Sequence, residues 1–225
     1  AGWGYRDVLP AFKRIEHYER GEDEYRGGSG ELYVSNLRND HPWCEAWVRA
    51  ANEFGLPRND DFNGATTYGV GAYQLTIRGG WRESASRAFL HPSRARPNLE
   101  LRTGAQVSRV LFEGNRAVGV EWIERDGLHR VRAQCEVVLA AGAVQSPQVL
   151  QLSGVGPADL LRRHGIAVVA DLPGVGRNLQ DHYQARSIVR MREPRSLNDE
   201  VRNPLRLASM GARWLFDRSG PLTVG

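Results

Sequence analysis

With 225 residues, 41% of them hydrophobic and 25% charged, the chain has the size of one large domain or two interleaved ones and none of the charge excess that keeps a chain unfolded. Thirty Lys plus Arg against 26 Asp plus Glu give a net charge of +4. The arginines are scattered, as at Arg49, Arg87, Arg125, Arg162 and Arg213, rather than gathered into the stripe that a phosphate track requires, which argues against nucleic-acid binding.

No run approaches the roughly 20 apolar residues that cross a bilayer, and Ala1-Gly2-Trp3 starts no basic-then-apolar targeting pattern, so neither a transmembrane segment nor a retained secretion signal is expected. Cys44 and Cys135 are too few for a disulfide framework or a Cys-rich metal site. They point to a reducing, cytoplasmic setting, with peripheral membrane association left open.

In chain order, Asp7 to Glu19 places Val8, Leu9, Phe12 and Ile15 on one helical face, with Asp7 as N-cap and Pro10 in the first turn. The charged, glycine-rich stretch from Arg20 to Gly30 reads as a loop. A second helix is capped by Asp40, carries Pro42 in its first turn and stops at Gly55 and Pro57. Its stripe of Trp43, Trp47, Ala50 and Phe54 is expected in the core. Pro57 to Gly80 has no regular period and reads as a long, shaped loop of the kind that lines a site or meets a second subunit. Arg82 to Leu90 forms a short helix ended by His91-Pro92.

From Asn98 the pattern turns to strands: Leu99 and Leu101, then Val107 to Phe112, Ala117 to Ile123 and Leu128 to Ala133. Turn chemistry at Glu113-Gly114-Asn115-Arg116 and Arg125-Asp126-Gly127 makes the last three an antiparallel meander. Val137 to Ala141 is a continuous apolar run, the mark of a strand buried on both faces. It leads through Gly142-Ala143 to Ser146-Pro147 as N-cap and first helical residue, then to a helix from Gln148 to Leu152 stopped by Ser153-Gly154. A helix from Pro157 to His164, a strand from Ile166 to Ala170, a strand-like Arg186 to Met191 and a helix from Pro204 to Phe216 follow. The alternation predicts an α/β layer with a β-meander, α+β overall.

Among candidate motifs, Ala140-Ala141-Gly142-Ala143 after an apolar strand suits a dinucleotide, because small residues let a cofactor reach main chain at a helix N-terminus. Helix-on-sheet packing explains the same residues. Gly2, Gly69, Gly154 and Gly174 each begin a G-x-G that lacks its third glycine after a buried strand. Ser29 in GGSGE has Glu31 where a nucleophile elbow needs glycine. His17, His41, His91, His129, His164 and His182 never pair at metal-ligand spacing, so no metal residues are assigned. Asp181-His182 is a carboxylate–imidazole neighbour pair, but adjacent side chains point apart.

The stretch Gly142-Ala-Val-Gln-Ser146-Pro147-Gln-Val-Leu-Gln-Leu-Ser153-Gly154-Val-Gly156 closely resembles the second signature of the glucose-methanol-choline oxidoreductases, flavoproteins that oxidise alcohols. GWGYRDVLPAFKRIE near the start, DFNG at 61–64, GWRESASRAFL at 80–90, RPNLELRTGAQVSRVLFEG and LPGVGRNLQDH at 172–182 extend the likeness over essentially the whole chain, with choline dehydrogenase-like members nearest in flavour. Arg26 stands where the family often has histidine.

The resemblance implies a Rossmann-like FAD-binding domain interleaved with a substrate domain on an antiparallel sheet. Residues 1–95 would be mainly substrate-domain and connecting segments, 96–183 part of the FAD domain, and 184–225 the start of a second substrate-domain segment. It implies FAD as cofactor, with Val107 pairing its main chain to the adenine, Ala141 and Gly142 forming the small turn beside the nucleotide, and Asn178 to His182 near the flavin. The family's G-x-G-x-x-G would precede Ala1 and its catalytic histidine would follow Gly225. The expected function is therefore that of a fragment of an FAD-dependent alcohol oxidoreductase, inactive alone, with no catalytic residue of its own. A small-molecule alcohol is the expected partner, and the electron acceptor and oligomeric state are not assigned. The alternative is a non-catalytic α/β binding or interaction module on the same scaffold.

Overall fold

The computed structural model describes residues 2–38, 41–185 and 196–223. They fall into two compact units, residues 1–100 with 188–225, and residues 101–187. In the first, helix α1 (Tyr5–Ile15) runs directly into strand β1 (Glu16–Tyr18), which pairs in parallel with β2 (Leu32–Val34). The helix begins two residues before the expected Asp7, because Asp7 works as a third-position acceptor: its Oδ2 takes the Gly4 N–H at 3.0 Å. Val8, Leu9 and Ile15 are half-buried, whereas Phe12 is exposed; together they line a cavity of about 350 Å³.

The arginine in the glycine-rich loop is a buried anchor. Arg26, 2% exposed, reaches Glu16 with Nη2–Oε1 at 3.0 Å and Asp61 with Nη1–Oδ1 at 3.3 Å, and its guanidinium lies 4.0 Å from the Tyr18 ring centre. Opposite charge on two sides offsets the desolvation of the cation.

Helix α2 (Pro42–Glu53) is capped by His41, whose Nδ1 accepts the Trp43 N–H at 3.3 Å; Asp40, the expected cap, lies outside the described residues. The aromatic stripe expected in the core is not there. Trp47 is 75% and Phe54 87% exposed, and α2 buries Val48 instead. Periodicity identified an apolar face, of which Trp43 is half-buried while Trp47, Ala50 and Phe54 are exposed.

The loop from Pro57 is shaped around buried Asn59, whose Nδ2 donates to the Thr66 and Tyr68 carbonyls and whose Oδ1 accepts the Asp61 N–H. Strands β3 (Ile77–Arg78) and β4 (Trp81–Arg82) form a small antiparallel pair. The expected helix over 82–90 begins later, as a π-helical turn at Ser86–Leu90, and does not end at His91-Pro92: a short helix α3 (His91–Ser93) follows at once, with Pro92 in its own first turn. Leu99 and Leu101 are exposed and belong to no strand.

The second unit contains the meander, as its hairpin turns predict: β5 (Gln106–Glu113), β6 (Arg116–Glu124) and β7 (Gly127–Arg132), antiparallel in the order β5-β6-β7. Residues 137–141, expected as a strand buried on both faces, pair with no strand among the described residues, and Val138 is 74% exposed. The apolar run has the composition of a central parallel strand without ladder partners on either side. Helix α4 (Gly142–Leu152) starts at Gly142 rather than at Gln148, and accommodates Pro147 within it. Ser146, the expected cap, instead accepts the Ala141 N–H at 3.1 Å.

A short parallel pair, β8 (Val155–Gly156) with β9 (Ala170–Asp171), brackets α5 (Ala158–Arg163), and Asp171 Oδ1 accepts the Ala158 N–H at 3.0 Å. One serine fastens α4 to the meander. Ser153 Oγ accepts the Val110 N–H at 2.8 Å and donates to the Val149 carbonyl, both ends buried. Ser153→Ala leaves a buried N–H unmatched and is expected to cost about 1–3 kcal/mol, read as a lower urea midpoint with unchanged m-value.

The chain returns to the first unit with α6 (Leu197–Val201) and α7 (Pro204–Asp217), the latter capped by Asn203 Oδ1, which accepts the Leu205 and Arg206 N–H groups. Trp214 of α7 meets Trp81 edge-on at 4.9 Å, and its indole N–H donates to the Gly80 carbonyl. The strand-like segment expected at 186–191 lies outside the described residues. No helix among them is long and apolar enough to cross a membrane.

Candidate functional site

The three residues singled out for cofactor binding, Val107, Ala141 and Gly142, all belong to the unit of residues 101–187. Ala141 and Gly142 make one turn. Residues 136–140 lead to Ala141, which adopts φ −86 and ψ 9, and Gly142 enters α4 at φ +86. Side chains are strained at that angle, so glycine is the residue the turn requires. A Cβ built on Gly142 would meet nothing within 4 Å, so the space beside the turn is open.

No side chain caps the N-terminus of α4. An eleven-residue helix ends there with main-chain N–H groups lacking helical acceptors and with the positive end of its dipole. Ala141, Gly142, Ala143 and Val144 are all exposed. Such a small-residue, cation-like surface suits the phosphate part of a dinucleotide.

Val107 stands apart, half-buried on β5 opposite Trp122. Register slips just after it, from Val107↔Trp122 to Arg109↔Glu121, so Ser108 is an inserted residue of a β-bulge. β5 is an edge strand, paired with β6 on one side only, and an edge strand carries main-chain donors and acceptors without ladder partners. That geometry suits recognition through main chain at Val107. The two places are tied through α4, which meets β5 at Ser153–Val110; Gly142 sits at the other end of that helix, about 16 Å away by helical rise.

The Asn178–His182 segment is exposed, with Asn178 at φ +57. Asp181 Oδ1 accepts the His182 main-chain N–H at 2.8 Å, a backbone contact rather than a carboxylate–imidazole dyad.

Sequence patterns did not single out Glu121, the most strongly held carboxylate of this unit. It is 5% exposed and accepts from Arg109 (Nε to Oε1 2.9 Å, Nη2 to Oε2 3.0 Å), Arg130 (Nε to Oε2 2.8 Å) and Ser108 (Oγ to Oε1 3.2 Å). The Arg109 hydrogen bonds, aided by Arg130 and Ser108, outweigh burial and draw its pKa down to about 2. Hairpin register supplies the signal that would have found it: Arg109, Glu121 and Arg130 stand directly opposite one another across three strands.

Residues 1–184 match the family model described as GMC oxidoreductase. The chain belongs to the GMC oxidoreductase family. Among curated proteins it is 44% identical over 219 residues to the mitochondrial choline dehydrogenase of Mus musculus, covering 97% of this chain and 37% of that one. It is 42% identical over 219 residues to the oxygen-dependent choline dehydrogenase of Brucella anthropi, covering 97% and 40%. The chain thus spans about two fifths of the length of these relatives.

Among solved structures it resembles the pyridoxine 4-oxidase from Mesorbium loti, with 38% identity and a TM-score of 0.76 over 80% of this chain and 36% of that one. It also resembles an FAD-dependent oxidoreductase from Chaetomium thermophilum, with 31% identity and a TM-score of 0.85 over 99% and 41%. These neighbours share its mixed helix-and-sheet fold.

Proposed function

We propose that this chain contributes cofactor and substrate walls to an FAD-dependent alcohol oxidoreductase acting on choline or a similar primary alcohol. The observation that carries the reading is the uncapped N-terminus of α4, opened by Ala141 and Gly142, in a chain of the GMC family. The residues fit the cofactor: a glycine turn with open space beside it, exposed helix-end N–H groups and an edge strand at Val107. When bound, FAD supplies the acceptor for hydride from the alcohol carbon.

The parts of this chain have separate tasks. Main chain at 142–144 binds a phosphate through N–H groups, and Val107 orients the adenine through main chain. Ser153 holds the two in register by fixing α4 to β5. In this reading residues 101–187 belong to the FAD domain, and residues 1–100 with 188–225 to the substrate domain. The choline-like substrate follows from relatives named as choline dehydrogenases. Oxidation assays of the full-length protein with choline and with pyridoxine test it, and faster turnover of pyridoxine would overturn it.

For the cofactor, Val107→Pro in the full-length protein is expected to lower flavin content at least about tenfold, while Val107→Ile leaves it unchanged. Proline removes the main-chain donor and breaks the strand, whereas isoleucine keeps both. Flavin absorbance per mole of protein after gel filtration is the measurement. Equal content in both variants would show that Val107 makes no main-chain contact with the cofactor.

A further inference from the structure

The end of the β6–β7 hairpin gathers donors of a different chemistry. Glu124 pairs with Gly127 across a two-residue turn of Arg125 and Asp126, and His129 stands opposite Trp122. Side chains two residues apart on a strand share a face, so Trp122, Glu124 and His129 are neighbours, and Asp126 joins them from the turn. His129 Nε2 lies 2.9 Å from Asp126 Oδ1, and one ligand atom from each of Glu124, Asp126 and His129 falls within 4.8 Å of the others. Ligands bound to one ion at about 2.0–2.2 Å lie at most about 4.4 Å apart, so a small side-chain adjustment closes the set.

A residue outside the trio holds it in place. The Trp122 indole N–H donates to Glu124 Oε1 at 2.8 Å, and its ring stacks on His129 with centroids 5.5 Å apart and planes 19° from parallel. One tryptophan therefore orients two of the three ligands, as outer partners do around metal centres. Arg102 opposes occupancy, with Nη1 at 4.0 Å from Glu124 Oε1 and its guanidinium 5.4 Å from the Trp122 ring centre, so an ion would have to turn this half-exposed side chain outward.

We propose that Glu124, Asp126 and His129 bind a borderline first-row divalent cation of the Zn²⁺ or Ni²⁺ class, with Trp122 as positioning residue. One imidazole nitrogen with two carboxylate oxygens suits such ions, whereas Mg²⁺ and Ca²⁺ take oxygen-only shells of six or more ligands. Histidine spacing along the chain gave no metal site because this one is assembled across a ladder around a single histidine.

The test is calorimetric titration of the full-length protein with ZnCl₂, comparing wild type with His129→Phe, which keeps a ring against Trp122, and with Asp126→Asn. Wild type is expected to show one saturable site that each variant weakens at least about tenfold; Trp122→Phe weakens it about tenfold. MgCl₂ at the same concentration is expected to give no saturable signal. Zn²⁺ taken up by other exposed groups, Cys44 and Cys135 included, persists in every variant and subtracts out. Should His129→Phe lose its fold by circular dichroism, Asp126→Asn decides, since that side chain is 71% exposed. Unchanged binding in the deciding variant, equal binding of Mg²⁺, or no saturable Zn²⁺ site in wild type would overturn the assignment.

Discussion

Glu121→Ala is expected to destabilise the unit of residues 101–187 by about 3 kcal/mol, the low end of what breaking a buried ion pair costs. The low end applies because Arg109 and Arg130, with side chains 47% and 60% exposed, can rehydrate once the carboxylate is gone. The loss is still large, since Glu121 ties all three strands of the meander together and also accepts from Ser108 at the bulge beside Val107. Glu121→Gln keeps the volume and one acceptor while removing the charge, so it should cost about 1–3 kcal/mol.

The pH dependence has a definite sign. The folded-state pKa of Glu121 is depressed to about 2 from an ordinary value of 4.5, so its stabilisation is fully present above about pH 4.5 and is lost as pH falls toward 2. Urea unfolding followed by tryptophan fluorescence should therefore show a smaller wild-type advantage over Glu121→Gln at pH 3 than at pH 7. A constant difference across that range would mean that the carboxylate's charge contributes nothing.

Elements whose stability is local were legible in the sequence. The meander was readable because each hairpin carries its own turn residues and its strands are neighbours in the chain. The start of α7 at Pro204 was likewise legible, since proline suits the first helical position. Trp47 and Phe54, and the run at 137–141, were read correctly as apolar and incorrectly as covered. A period says which face is greasy, whereas the covering surface comes from residues remote in sequence.

The candidate site divides in the same way. Ala141 and Gly142 could be read because small residues at a helix start have a physical purpose whatever surrounds them. Val107 rested on resemblance, for one valine in a strand looks like any other. Ser153, Glu121 and the Glu124–Asp126–His129 group depend on which residues face each other across the sheet or between helix and strand, and register is not visible in composition.

Gly27→Ala is expected to cost the other unit about 4 kcal/mol or more, beyond ordinary overpacking of about 1–3 kcal/mol, because hydrogen bonds break with it. A Cβ at Gly27 would lie 1.8 Å from the Lys13 carbonyl oxygen and 2.8 Å from that of Glu16, both main-chain atoms that no side-chain rotation can move. The loop lies flat against the α1–β1 junction: the Gly27 carbonyl accepts the Tyr18 N–H at 2.7 Å, and its own N–H donates to Glu16 Oε2 at 3.0 Å. Lifting the loop to admit one methyl group separates these bonds and draws neighbouring Arg26 away from Glu16 and Asp61, leaving charges buried without partners. Gly211→Ala is the matched control within the same unit. Gly211 sits inside α7, where an added Cβ meets nothing within 4 Å, and alanine there should stabilise by about 0.5–1 kcal/mol through helix propensity. Urea midpoints of the two variants should fall on opposite sides of wild type, and midpoints that coincide would show that the loop does not rest on the α1–β1 backbone.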